Sequence, residues 1–528
     1  MNIESEPLNR NRKLLVLGLD GMPLDLLLFL MESGQAPNLK ALFQRGTYGK
    51  LRSVIPPITP AAWTSFQTGK YPDKHGVVDF FAEKPWTYQY EFTNSTRIKS
   101  KTLWKILSDA KRKPIVVNVP LTYPPEAIEG IIIPGFDAPE TSDDCIHPKG
   151  LLKTIETKIG RYNVYRMWWN EAVFKQGGLT GLIQELLQIT DSQIEGVKFL
   201  MKEFEWDFFM YHFQVTDALQ HHAYHLINSS NRESSEVEKV QHKLIMEFYG
   251  NIDRKVGELL EMVDQDTSVC VLSDHGFLSL RKAFYLNHWL QQEGYLAENH
   301  RYFLVKILEN FVHLSKKLKL PYFRHMQYPL RKSPVRTLRK INFKRTQAYA
   351  YCYLVNYAFL FVNKNLKVNV EALKRDLKNI QYNGEYVVKD VYPWYSGNTA
   401  NEFNPDLVVE FVEGYSIMQK IPSKKRPFAF DLSNDSNHAI NGMFCVAGKN
   451  IKVEHTTNAE IVDIFPTILH MMDIPIPDDI DGKIITDALE VYEGAEYVSP
   501  DGSTTSRIMA GTEDFEKVAN RLMDLGYL

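Results

Sequence analysis

The chain has 528 residues, 44% hydrophobic and 24% charged, with 61 Lys+Arg against 64 Asp+Glu for a formal net charge of -3. At ~100–200 residues per domain this length accommodates one large domain with insertions or several small ones, and the globular composition excludes a disordered or fibrous chain. The near-neutral balance gives no global attraction to nucleic acid, and four cysteines without a CxxC pair exclude a disulfide framework and a structural zinc knuckle.

Residues 1–12 are polar, and the apolar run LLVLGL at 14–19 is cut short by Asp20. A secretory signal needs a longer apolar core, and LLLFLM at 26–31 is far below the ~20 residues that span a bilayer. The expectation is a soluble, cytoplasmic protein in a reducing compartment. Continuous apolar runs predict buried parallel strands at Leu14–Leu19, Pro114–Val119, Phe208–Phe213 and Ser268–Leu272. Further strands are predicted at Tyr353–Val362 and Asp406–Val412, and helices at Pro60–Thr68, Leu179–Phe204 and Val237–Val263. This alternation predicts an α/β fold. Residues 301–345 hold thirteen Lys/Arg and one acid, Glu309, interleaved with aromatics. They read as a solvated insertion or as a basic lid facing an anionic substrate or a membrane surface. Aromatic-rich 162–170 reads as cap packing or pocket lining, and the tail from 486 to 528 carries no recognisable chemistry.

Several predicted strands stop at metal-ligand residue types, and open α/β sheets build their sites at the carboxyl ends of strands. Asp20 follows the first strand, with Gly21 permitting a tight turn; alone this is also an ordinary Asp-Gly turn. Asp274 and His275 follow the strand SVCVL, and at a turn both can reach one ion. Asp217 and His221 stand four apart, on one face of a helix, although His225 repeats that spacing from His221 and His222 lies alongside. His438 sits in an Asn-rich loop before an apolar strand. Thr59 precedes Pro60, which predicts a helix with Thr59 as N-cap, Pro60 at the first position and Gly69 as the stop. A hydroxyl there faces the positive end of the helix, a place suited to phosphate; it also serves as a plain cap.

The ordered set DG, PPITPAAWTSFQTGKYPDKHG, DALQH, SDHGF and a late His before a Gly-Met-Phe strand resembles the type I phosphodiesterase/nucleotide pyrophosphatase family of the alkaline phosphatase superfamily. FYLNHWLQQEGYL (284–296), FKRTQAYAY (343–351), NPDLVVEF (404–411) and IVDIFPTILHMMDIPIPDDIDGK (461–483) extend the likeness, which runs from about Lys13 to Lys483. The resemblance implies a mostly parallel central sheet flanked by helices, a catalytic domain over 13–485 and cap insertions near 80–200 and 300–345. It implies two divalent ions, zinc or manganese. One would be held by Asp217, His221 and His438, the other by Asp20, Asp274 and His275 with Thr59. Thr59 would attack phosphorus to give a covalent phosphothreonine, which water then cleaves. The implied partner is a small phosphate ester; 301–345 offers a contact for a membrane surface.

Where many nucleotide pyrophosphatases follow the nucleophile with Phe-Pro-Asn, whose Asn steadies the phosphate, this chain has Pro60-Ala61-Ala62. That contact must come from elsewhere, and nucleotide specificity does not carry over. None of Cys145, Cys270, Cys352 and Cys445 begins a sulfatase modification site, and His75 is expected to be structural. The alternatives are a phosphoryl or phospho-alcohol transferase using the same intermediate, and a non-catalytic protein binding anionic lipids or glycans through 301–345.

Overall fold

The computed structural model describes residues 12–139, 142–160, 162, 171–227, 235–299, 338–352, 355–395, 404–422, 428–431 and 436–500. Most of the basic segment (301–337), the aromatic run 163–170 and the tail from 501 lie outside these residues. The described residues fall into two compact units, one built from 12–80, 92–279 and 436–500, the other from 81–91 and 280–431.

The first unit is organised by a mostly parallel sheet. Its strands run in the order His455–Thr456, Gly46–Arg52, Asn441–Ala447, Ser268–Leu272, Leu14–Leu19, Phe208–Phe213, Pro114–Val117 and Ile131–Ile133. The sheet centre is the strand Leu14–Leu19, parallel to Phe208–Phe213 on one side and to Ser268–Leu272 on the other. All six residues of LLVLGL and of FFMYHF are buried, which is why both read as unbroken apolar runs rather than alternating ones. Asn441–Ala447 is antiparallel to both of its neighbours. Its first residues therefore lie at the edge where the parallel strands end.

Helices flank this sheet as predicted. Gly178 breaks the segment Glu171–Glu203 with non-helical dihedrals (φ 58°, ψ -152°), so two helices meet there and the second begins at 179. The helix Glu236–Leu260 starts on a capping box made by Ser235 and Glu238. No helix among the described residues is long and apolar enough to cross a membrane.

The second unit holds a four-stranded antiparallel sheet in the order Ala348–Cys352, Tyr357–Val362, Leu407–Phe411, Val388–Pro393. Of the stretch predicted as one strand over 353–362, Tyr357–Val362 is a strand, and it pairs antiparallel with Ala348–Cys352, for which no strand was predicted. Both arms are fully buried, so the apolar pattern runs through the reversal without a signal.

Candidate metal centre and nucleophile

The sheet delivers its chemistry to one edge. Asp20 ends the central strand, and its N–H donates to Phe213 O of the neighbouring strand at 3.0 Å. Gly21 turns the chain at φ 70°. A Cβ there would lie 2.7 Å from the Phe277 ring and 3.4 Å from Asp217 Oδ1, so only glycine lets the turn pass between them. Asp274 and His275 occupy the bend between Ser268–Leu272 and Gly276–Ser279. Asp217 lies in the first turn of the helix Val215–Ile227, with His221 one turn later.

His438 is in a short strand, Ser436–Ala439, rather than in a loop. It pairs antiparallel with Gly276–Ser279, placing His438 opposite Phe277. A polar four-residue strand lacks the alternation that would reveal it. Because the next strand starts at the carboxyl edge of its neighbours, His438 arrives beside His275; the two rings stack with centroids 3.7 Å apart.

Two groups of ligand-type side chains result. In one, Asp217, His221 and His438 bring one donor atom each within 4.8 Å of the others, and Asp20, Asp274 and His275 do the same in the second. His438 Nε2 lies 3.3 Å from Asp217 Oδ1 and 3.0 Å from His221 Nε2. His275 Nε2 lies 3.5 Å from Asp20 Oδ1 and 3.4 Å from Asp274 Oδ2. Neither His222 nor His225 joins a group among the described residues.

The environment fits cations. Asp20 Oδ1 and Asp274 Oδ2 are buried and have no hydrogen-bond partner, a costly state for carboxylate oxygens unless a cation meets them. His275 Nδ1 faces Gly276 O at 3.1 Å and His438 Nδ1 faces Pro57 O at 3.1 Å. These contacts are hydrogen bonds when Nδ1 carries the proton, which leaves the Nε2 lone pairs aimed into the groups, as metal-binding histidines require. Burial, followed by the adjacent His438, holds His275 well below the usual histidine range, in the neutral form a ligand needs. Burial pushes Asp20 up, and burial with the charge of Asp20 pushes Asp274 well above the ordinary carboxyl range. Burial also works against ionised Asp217, but His221 and His438 outweigh it and hold that carboxyl well below its ordinary value.

Thr59 begins the helix Thr59–Thr68, and its Oγ1 lies 3.4 Å from His275 Nε2. The N-cap is Ile58, not Thr59: Ala62 N–H donates to Ile58 O at 3.0 Å, which starts the helix one residue earlier than the proline rule implies. Gly69 ends the helix in the left-handed conformation (φ 66°), as expected. His75, expected to be structural, is fully buried; its Nε2 lies 2.9 Å from Ser65 Oγ and its Nδ1 accepts from Val77 N–H at 3.2 Å.

Sequence reasoning missed His212 and Trp63. Asp20 Oδ2 lies 2.8 Å from His212 Nε2 and accepts from Trp63 Nε1 at 3.2 Å. A histidine inside the apolar run FFMYHF was the available signal, because a buried ring nitrogen needs a partner.

A family model described as type I phosphodiesterase / nucleotide pyrophosphatase matches residues 14–442. Among solved structures, the chain is similar to phosphonoacetate hydrolase from Sinorhizobium meliloti in complex with phosphonoformate. The TM-score is 0.55 at 16% identity, over 88% of this chain and 96% of that one. It is also similar to murine ectonucleotide pyrophosphatase/phosphodiesterase 5, an inactive variant in complex with AMP. There the TM-score is 0.50 at 13% identity, over 90% of this chain and 100% of that one. At these identities the likeness concerns the fold: a central, mostly parallel sheet flanked by helices. No curated protein matches the sequence.

Proposed function

The chain belongs to the type I phosphodiesterase/nucleotide pyrophosphatase family and is a phosphoric ester hydrolase; from that premise we propose that it acts through a covalent phosphothreonine at Thr59, supported by two divalent ions. The observation that carries the reading is a buried threonine, Thr59, whose Oγ1 lies 3.4 Å from His275 Nε2 of one ligand group, while His275 stacks at 3.7 Å on His438 of the other.

Asp217, His221 and His438 would hold one ion and Asp20, Asp274 and His275 the other. Imidazole and carboxylate donors suit zinc or manganese better than calcium. Bound there, the two ions supply Lewis acidity: they neutralise phosphate charge and lower the pKa of a hydroxyl or water.

The residues do the rest. Thr59 sits at the first position of its helix, where first-turn amides have no intrahelical acceptor and can face an anion. Pro60 has no N–H to offer, but it fixes the backbone next to the reacting hydroxyl. In the first displacement the Thr59 Oγ–P bond forms and the ester P–O bond breaks; the hydroxyl proton passes by way of solvent to the departing oxygen, which leaves as the alcohol. In the second, water attacks phosphorus, the Thr59 Oγ–P bond breaks, and the hydroxyl is restored. Burial holds His275 well below the usual histidine range and its Nδ1 faces Gly276 O, which leaves Nε2 to act as the lone-pair donor.

The test is a pair of substitutions. Thr59→Ala should remove turnover of a chromogenic phosphodiester by orders of magnitude while fold and metal content persist. Thr59→Ser keeps the hydroxyl and should retain part of the activity. Comparable turnover by Thr59→Ala and the parent would overturn the reading.

A further inference from the structure

Asp20 differs from an ordinary buried carboxylate in how its two oxygens are used. Oδ2 accepts from Trp63 Nε1 at 3.2 Å and lies 2.8 Å from His212 Nε2, whereas Oδ1 has no hydrogen-bond partner and lies 3.5 Å from His275 Nε2. His212 is itself anchored, its Nδ1 lying 3.0 Å from Asn118 O. The Trp63 and His212 rings meet edge to face, with centroids 4.7 Å apart. All three side chains are fully buried. Beneath them is Gly18, where a Cβ would lie 2.7 Å from Trp63 and 3.1 Å from His212. Both rings pack against this glycine, so the close approach depends on its lacking a side chain.

A carboxylate with two available oxygens can bind an ion through either or both. Two fixed partners on Oδ2 leave only Oδ1. We infer that His212 and Trp63 are positioning residues that hold Asp20 as a one-oxygen ligand. Trp63 has a second role, because it stands one turn after Thr59 on the same helix. Its indole N–H ties the helix carrying the nucleophile to the carboxylate that serves the same centre. This inference rests on the two-ion reading above and adds residues that touch neither ion nor substrate.

The experiment measures metal binding as well as turnover. The full chain is stripped of metal and titrated with zinc against a chromogenic chelator. The parent is compared with His212→Phe and Trp63→Phe, each of which keeps a ring and loses the donor. The parent should bind two ions. Each variant should keep one at parental affinity and bind the other tenfold to hundredfold more weakly, as is usual when the partner of a metal ligand is removed. His212→Gln, whose amide can still donate to Oδ2, should recover part of the loss. Thermal melts check the fold, and if His212→Phe does not fold, Trp63→Phe decides.

Parental affinity for both ions in the folded variants would overturn the clamp, as would equal weakening of both. A parent that binds two ions but never phosphorylates Thr59 overturns the proposed function and leaves the clamp standing. A parent that binds no ion overturns both.

Discussion

Replacing Gly21 by alanine tests whether the turn after the central strand is as tightly confined as the geometry requires. Gly21 has φ 70°, where an L side chain costs about 1–2 kcal/mol. Its new Cβ would lie 2.7 Å and 3.1 Å from two atoms of the Phe277 ring. That is well inside the 3.5–4.0 Å of normal carbon contacts, and such overpacking adds about 1–3 kcal/mol. Gly21→Ala should therefore lose about 2–5 kcal/mol of stability. Gly34 supplies the control: its φ is 76°, and a Cβ there would meet nothing within 4 Å. Gly34→Ala should cost only the backbone part, about 1–2 kcal/mol. Urea unfolding of both variants measures the difference. Activity should separate as well, because Phe277 and Asp217 flank the Gly21 turn whereas Gly34 is exposed. Equal losses from the two substitutions would refute the claim that this turn is sterically locked.

Burial pushes the Asp79 carboxyl up to about 7, against a contact from Phe80 N–H that favours the ion. The folded state thus holds this proton more tightly than the unfolded one. Its contribution is fully present below the unfolded pKa near 4 and is lost as pH rises through about 7. Asp79→Asn should match the parent near pH 4 and exceed it above pH 7 by up to about 4 kcal/mol, read from melts of metal-free protein; parallel stability–pH curves would refute this. Asp274→Ala should lose one of two bound ions in elemental analysis, and a metal-free preparation of full activity would contradict the two-ion reading. Neutralising Lys316, Lys317, Arg331 and Lys332 together should raise KM for an anionic ester and flatten its salt dependence. Unchanged kinetics at low ionic strength would return that segment to a solvated insertion.

The parts legible in the sequence are those where one residue type has one dominant physical use. LLVLGL, FFMYHF and SVCVL announce themselves because parallel strands buried on both faces tolerate little else. Asp20, Asp217 and Asp274-His275 stand out because each follows such a strand closely. Spacing alone does not separate His221 from His225; that His221 lies beside His438, more than two hundred residues away in the chain, is visible only in the fold. The strand carrying His438 is short, polar and held by pairing rather than by pattern. The hairpin of Ala348–Cys352 and Tyr357–Val362 was hidden for the opposite reason, apolar on both arms. His212 and Trp63 were hidden in apolar surroundings, where a single ring nitrogen looks like packing until its acceptor is located.

The central claim, that Thr59 carries the phosphoryl group, is tested most directly by intact-mass and peptide analysis of acid-quenched enzyme during turnover of a phosphodiester with a chiral phosphorus. The account predicts a phosphorylated peptide containing Thr59 in the parent, its absence in Thr59→Ala, and net retention of configuration, since two in-line displacements restore the original hand. Inversion at phosphorus, with Thr59 never modified, would mean direct attack by water and would leave Thr59 as the first residue of a helix beside the site.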